Sequence, residues 1–150
     1  MATPMTLAER KFQNLMKKYE EYATIIPVPC GGLMEFVEEG TLRGSRLEDF
    51  LEQLLPSDIR ENAKAVVLGC THYPFIKEVI AQIIGGQVEI YDGGLGTARQ
   101  LQRKLQRDRM LKQDKEPGAV RIINTLEKAE RIRLSETLLV SSQKYMNTEE

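Results

Sequence analysis

The stretch AVVLGCTHYP, residues 65–74, is the part of the sequence that decides the fold. Its first four residues, Ala65 to Leu68, are a continuous apolar run that is too short for a helix. Such a run is typical of a strand covered on both faces of a parallel sheet. Gly69 ends the run, and Pro74 fits the first helical turn, where its missing N–H would have no intrahelical partner. We therefore expect a strand, a tight loop and a helix, in that order.

Short apolar runs alternate with helical patterns on both sides of this stretch. The predicted strands are 24–29, 65–68, 88–91 and 120–123; the predicted helices are 6–22, 33–39, 45–55, 75–84, 97–111 and 127–140. Two of these helices begin with capping-box spacing, at Thr6 with Glu9 and at Ser45 with Glu48. The alternation predicts an α/β fold with a parallel sheet.

Composition excludes several classes of protein. The chain has 150 residues, 41% hydrophobic and 29% charged, with a net charge of -1, so it matches neither a disordered chain nor a basic nucleic-acid binder. No apolar run approaches the roughly 20 residues of a membrane helix, and residues 1–10 lack a secretory signal. Two cysteines make no disulfide framework. We expect a soluble cytoplasmic protein with no nucleic-acid or membrane partner.

The loop at 70–72 holds a thiol, a hydroxyl and the only histidine of the chain. Loops after parallel strands are where α/β folds bind ligands, and a helix N-terminus would attract a carboxylate and favour a thiolate. The residues alone leave a buried, inert Cys70 with a hydrogen-bonded His72 as the simpler interpretation. Cys30, after a proline-rich strand, is predicted to be a core cysteine. Zinc is disfavoured because no close pair of cysteines exists, so we predict no metal.

Residues 68–74 resemble the second cysteine motif of the glutamate racemases, cofactor-independent enzymes that interconvert L- and D-glutamate for peptidoglycan synthesis. Residues 2–6 are similar to the threonine-containing turn that starts this family's second domain, and residues 28–40 to its next strand and helix. The resemblance covers residues 2–140. It implies a parallel-sheet sandwich of the aspartate/glutamate racemase type, one domain plus part of a second. The implied units are 2–91, the second racemase domain, 92–140, a C-terminal segment, and 141–150, a flexible tail.

The resemblance also implies roles for single residues. Cys70 is similar to the second catalytic thiol, and His72 to a histidine that assists it. Thr71, Thr3 and Thr6 are similar to substrate-binding residues. Glu38 resembles a supporting carboxylate near the histidine. No cofactor and no metal are implied.

Family members begin with a first domain that carries the other catalytic cysteine, and its motifs are not found in these residues. Racemisation needs a base on one face of the α-carbon and an acid on the other. We therefore expect this chain to be one half of an isomerase and to be inactive alone. We expect it to form a homodimer or to associate with a chain that supplies the first domain. The alternatives are a non-enzymatic remnant or binding module, and another racemase or lyase of the superfamily.

Overall fold

The structure is a computed structural model that describes residues 1–112, 118–126 and 128–146, without the side chains of 142–146. It divides into two compact units, Met1–Asp92 and Gly93–Glu150. The first unit contains α1 Pro4–Ala8, α2 Arg10–Tyr19, α3 Leu33–Glu38, α4 Ser45–Leu54, α5 Ser57–Asn62, β1 Ala65–Leu68, a 3-10 turn Tyr73–Ile76, α6 Lys77–Ile84 and β2 Glu89–Asp92. The second contains α7 Gly94–Arg107 and α8 Ala129–Met146. No helix in the described residues is long and apolar enough to cross a membrane.

The sheet is parallel, as the apolar runs predict. β1 pairs with β2 so that Ala65 lies opposite Glu89. On its other side β1 is bonded to the chain start, where the Met1 ammonium donates to the Val67 carbonyl at 2.9 Å. Ala2 in turn forms a parallel bridge with Pro29. Four segments therefore run in one direction, so their C-terminal ends meet at one edge.

The core of the first unit lies between the sheet and its helices. Helix α4 contributes Leu47 and Leu51, which are completely buried, and Leu55 follows at the same helical spacing. Leu33 and Val37 of α3 are equally buried. These apolar faces position the loops that follow β1 and α3.

The first predicted helix is wrong in its start and its length. Thr3, not Thr6, is the N-cap, because the Thr3 hydroxyl accepts from the Thr6 N–H and Pro4 fills the first turn. Glu9 is extended and divides the predicted helix into α1 and α2. The cap predicted at Ser45 is also wrong, since Gly44 occupies that position with no side-chain hydrogen bond.

The strands differ from the prediction where a partner is lacking. β1 has the predicted bounds, but only Val66 and Leu68 are buried, and Val67 is 62% exposed. The predicted strand 24–29 is reduced to the bridge at Pro29, and residues 120–123 form no strand. Helix α8 continues to Met146, past the predicted start of a flexible tail at 141. Residues 147–150 of that tail lie outside the described residues.

The burial of the Tyr73 phenol predicts a loss of stability at alkaline pH. Its hydroxyl donates to the Cys30 carbonyl at 3.2 Å, and burial raises the pKa of this fully buried phenol above its usual value. The folded state thus favours the protonated phenol. This contribution to the free energy of unfolding is present below the unfolded pKa of about 10 and is lost as pH rises above it. We expect Tyr73→Phe to cost about 1 kcal/mol at pH 7 and to flatten the fall in stability above pH ~10, measured by urea unfolding. Equal slopes in both proteins would contradict this assignment.

Candidate active site

The loop after β1 starts with a glycine that another segment touches. The Gly69 N–H donates to the Met1 carbonyl at 2.8 Å. A Cβ at Gly69 would lie 3.1 Å from the Ala2 Cβ and 3.2 Å from the Met1 oxygen, closer than side chains normally pack. The absence of a side chain therefore lets Ala2 pass directly beside the loop, and Cys70 follows at the C-terminal edge of the sheet.

Three predicted residues form a continuous chain of contacts. The Cys70 Sγ lies 3.7 Å from the His72 Nδ1, and the His72 Nε2 lies 2.8 Å from the Glu38 Oε1. The side chains of His72 and Glu38 are 26% and 46% exposed. Cys70 is half-buried. The loop thus places a thiol at a surface that a small molecule can reach.

The contacts determine where the protons lie. An ionised carboxylate can only accept, so the proton between His72 and Glu38 is assigned to the imidazole Nε2. In a neutral imidazole the Nδ1 is then an acceptor, and it faces the Cys70 thiol. Transfer of the thiol proton to Nδ1 would give a thiolate and an imidazolium that the Glu38 carboxylate stabilises. The arrangement can therefore make Cys70 a base.

The second cysteine has a different environment. Cys30 is 1% exposed, and its thiol donates to the Val28 carbonyl at 3.3 Å. Burial raises the pKa of the Cys30 thiol, which keeps it protonated and unreactive. The prediction of a core cysteine is confirmed.

The threonines do not join this chain of contacts. The hydroxyls of Thr3 and Thr6 are 2.9 Å apart, and no hydrogen bond in the described residues links them to Cys70, His72 or Glu38. Thr71 is exposed between Cys70 and His72. Substrate binding by these three threonines stays a prediction.

The expected helix N-terminus is displaced from the loop. A 3-10 turn, Tyr73–Ile76, comes first, and α6 begins only at Lys77. Sequence reasoning missed Lys77, which lies 3.6 Å from Asp92 at the end of β2. The sequence could have indicated this pair, because Asp92 ends β2 and Lys77 begins the helix that follows β1, at the same edge of the sheet. No group of three metal-ligating side chains occurs in the described part of the chain.

Glutamate racemases are among the known proteins that this chain resembles, although no family model matches. The glutamate racemase of Clostridium botulinum (strain Alaska E43 / Type E3) is 45% identical over 142 residues, 95% of this chain and 55% of the relative. That of Clostridium novyi (strain NT) is 46% identical over 93% of this chain and 54% of the relative. Over nearly its whole length the chain is thus similar to about half of a glutamate racemase.

Solved glutamate racemases have the same fold. The Francisella tularensis enzyme in complex with D-glutamate matches with a TM-score of 0.75 and 28% identity, over 91% of this chain and 51% of that one. Isoform RacE1 from Bacillus anthracis matches with a TM-score of 0.61 and 25% identity, over 75% and 42%. The predicted fold class is confirmed. The chain spans about half the length of the glutamate racemases that it matches.

The different environments of the two thiols predict a large difference in their reactivity toward alkylation. Cys70 is half-buried beside an imidazole, whereas Cys30 is enclosed and its pKa is raised. We expect iodoacetamide at pH 7.5 to modify Cys70 at least about 100-fold faster than Cys30, because alkylation requires an accessible thiolate. Peptide mass spectrometry after timed quenching measures both rates. Similar rates in the folded protein would contradict the assigned environments.

Proposed function

We propose that this chain forms one half of a cofactor-independent glutamate racemase and that Cys70 transfers the α-proton on one face of the substrate. The observation that supports this proposal is the contact chain from Cys70 through His72 to Glu38. In the proposed reaction L-glutamate is converted to D-glutamate, which peptidoglycan synthesis uses. The enzyme would act in the cytoplasm.

The proposed step begins with His72 accepting the Cys70 proton. The resulting thiolate takes the α-proton of glutamate, which leaves a planar carbanion, and inversion requires reprotonation from the opposite face. Cys30 is buried and cannot face a substrate opposite Cys70. We therefore place the second proton-transfer group outside these 150 residues, on a chain or segment that completes the site.

The substrate and the partners follow from the same proposal. The hydroxyls of Thr71, Thr3 and Thr6 would donate to the polar groups of glutamate. The D-glutamate bound to the Francisella tularensis relative supports an amino-acid ligand. A homodimer, or association with a chain that supplies the first domain, would complete the enzyme.

A chimera tests the function directly. In this chimera, this chain replaces the matching part of the Clostridium botulinum relative, to which it is 45% identical. The relative supplies the remaining residues of the chimera. Racemisation is followed by circular dichroism, and α-proton exchange in D2O by NMR. We expect both enantiomers to exchange and racemise, whereas the relative's remaining part alone should do neither.

The outcomes separate the proposed function from its alternatives. A folded chimera that neither exchanges nor racemises glutamate would contradict the proposal. Binding of D-glutamate without exchange would instead favour a binding module. Exchange of a different amino or hydroxy acid, with glutamate inert, would indicate another racemase or lyase of the superfamily.

A further inference from the structure

An ion pair joins the helix that follows the candidate loop to the neighbouring strand. The Lys77 Nζ lies 3.6 Å from the Asp92 Oδ2, and the two side chains are 31% and 21% exposed. Lys77 is the first residue of α6, and Asp92 is the last residue of β2. The proposed proton transfer by Cys70 uses neither charge. Because both charged groups are largely withdrawn from water, solvent screens their attraction less than that of an exposed pair.

The register of the sheet places Asp92 beside the start of the loop. Asp92 is the partner of Leu68, the last residue of β1, and Cys70 follows Leu68 by two residues. Side chains of paired residues in a parallel sheet lie on the same face. Leu68 is buried and Asp92 is half-buried, so the carboxylate lies on the covered face of the sheet. The ion pair therefore reaches from the strand end beside the loop to the helix that the loop enters.

Contacts with other elements hold the loop at its start, its middle and its end. At the start, the Gly69 N–H donates to the Met1 carbonyl at 2.8 Å. In the middle, the Tyr73 hydroxyl donates to the Cys30 carbonyl at 3.2 Å. At the end, Lys77 directly follows the 3-10 turn and is held by its ion pair. The third contact depends on charge, so a substitution can remove it without changing any residue of the loop.

We propose that the Lys77–Asp92 ion pair positions the loop so that its thiol stays within reach of its imidazole. The Cys70 Sγ and the His72 Nδ1 are 3.7 Å apart, and a misplacement of about 1 Å in such a contact can slow a reaction about 10²-fold. By fixing the start of α6 to the strand beside β1, the ion pair fixes the far end of the loop. Lys77 and Asp92 are thus positioning residues that act through His72. Their role in catalysis rests on the proposed function of Cys70.

The next residue of α6 provides a contrasting ion pair. Glu78 pairs with Arg43, and their side chains are 46% and 75% exposed. Arg43 lies in the turn between α3 and α4, so this pair links the same turn of α6 to a different element. Exposed pairs contribute little, because water screens the charges and two long side chains lose entropy. Glu78→Gln is therefore a matched control for substitution of Lys77.

Alkylation of Cys70 by iodoacetamide tests the positioning role with the whole chain. We expect Lys77→Met to slow this reaction about fivefold at pH 7.5, because alkylation requires a thiolate and a displaced imidazole takes up the thiol proton less readily. Lys77→Arg keeps the positive charge and should retain at least about half of the parent rate. Glu78→Gln should change the rate less than about twofold. An unchanged or faster reaction in Lys77→Met would overturn the proposal.

A double-mutant cycle separates positioning from a general loss of stability. In a His72→Gln background, Lys77→Met should change the alkylation rate less than about 1.5-fold, because the imidazole through which the ion pair acts is already absent. Asp92→Asn removes the other charge of the pair with little change in shape and should give the same pattern. Urea unfolding of each variant ensures that folded proteins are compared. Equal slowing with and without the imidazole would show that the ion pair only supports the fold.

The chimera distinguishes an error in this role from an error in the proposed function. In the chimera, Lys77→Met should lower kcat for glutamate about tenfold and leave KM within about twofold, since a misplaced proton acceptor affects the transfer rather than binding. If the unsubstituted chimera and its Lys77→Met variant racemise glutamate equally well, the ion pair does not position the loop and the proposed function stands. If the unsubstituted chimera is folded but inactive, the proposed function is wrong, and the alkylation of Cys70 still decides whether the ion pair positions the loop.

Discussion

Replacing Cys70 with alanine in the chimera is expected to lower racemisation of glutamate by about 10³- to 10⁴-fold in kcat/KM. In the proposed mechanism the half-buried thiol is the group that the contact chain activates, and alanine can neither accept nor donate a proton. Exchange of the α-proton into one enantiomer should be lost with it. Chiral chromatography of the product and NMR in D2O measure both effects.

Cys30→Ala is the matched control for this experiment. It removes the other thiol of the chain from a buried position, where the Sγ contacts the Val28 carbonyl rather than the loop. We expect the variant to be less stable by about 1 kcal/mol and to racemise glutamate within a few-fold of the parent once folded. A Cys70→Ala protein that retains racemisation, or a folded Cys30→Ala protein that loses it, would show that the wrong thiol has been assigned.

Replacing His72 with glutamine is expected to lower kcat by about 10²-fold, with a smaller change in KM, because a general base contributes roughly that factor. Glutamine keeps a hydrogen-bonding side chain but cannot take the Cys70 proton. The pH profile of kcat/KM should also lose one of its limbs, which a merely structural defect would not cause. An unchanged profile would contradict the role of His72 as the base.

In the proposed mechanism Glu38 acts through His72 as a positioning residue, and its variant provides a graded comparison. Glu38→Gln keeps the size of the side chain but removes the charge that favours an imidazolium, so its loss should be smaller than that of His72→Gln. Glu39→Gln is the neighbouring control, because the Glu39 carboxylate is paired with Arg46 on the surface and forms no hydrogen bond or ion pair with residues 70–72 in the described part of the chain. Equal losses in both glutamate variants would indicate damage to α3 rather than an effect on His72.

The parts of the fold that depend on local sequence were predictable. The bounds of β1, the position of the loop and the burial of Cys30 follow from an apolar run, a glycine and a proline-rich flank. The approach of Glu38 to His72 was expected only from family resemblance, because the two residues are far apart in sequence and no local pattern joins them.

The errors have a common physical source in tertiary contacts. Thr6 and Glu9 have the spacing of a capping box, but Pro4 lets Thr3 start the helix earlier, and Glu9 then adopts an extended conformation. Residues 24–29 have strand composition, yet a strand also needs a neighbour, and among the described residues only Val28 and Pro29 lie beside one, at Ala2. Composition indicates that a segment can pair, whereas pairing itself depends on which backbone lies beside it.

The bond from Tyr73 to Cys30 has a consequence for thermal fluctuations. Tyr73 directly follows His72, and the Cys30 carbonyl also accepts from Leu33, the first residue of the helix that ends at Glu38. The Cys30 carbonyl oxygen thus accepts hydrogen bonds both from the segment that carries His72 and from the helix that carries Glu38. The two side chains should consequently move together, so little conformational entropy remains to be lost when a substrate arrives.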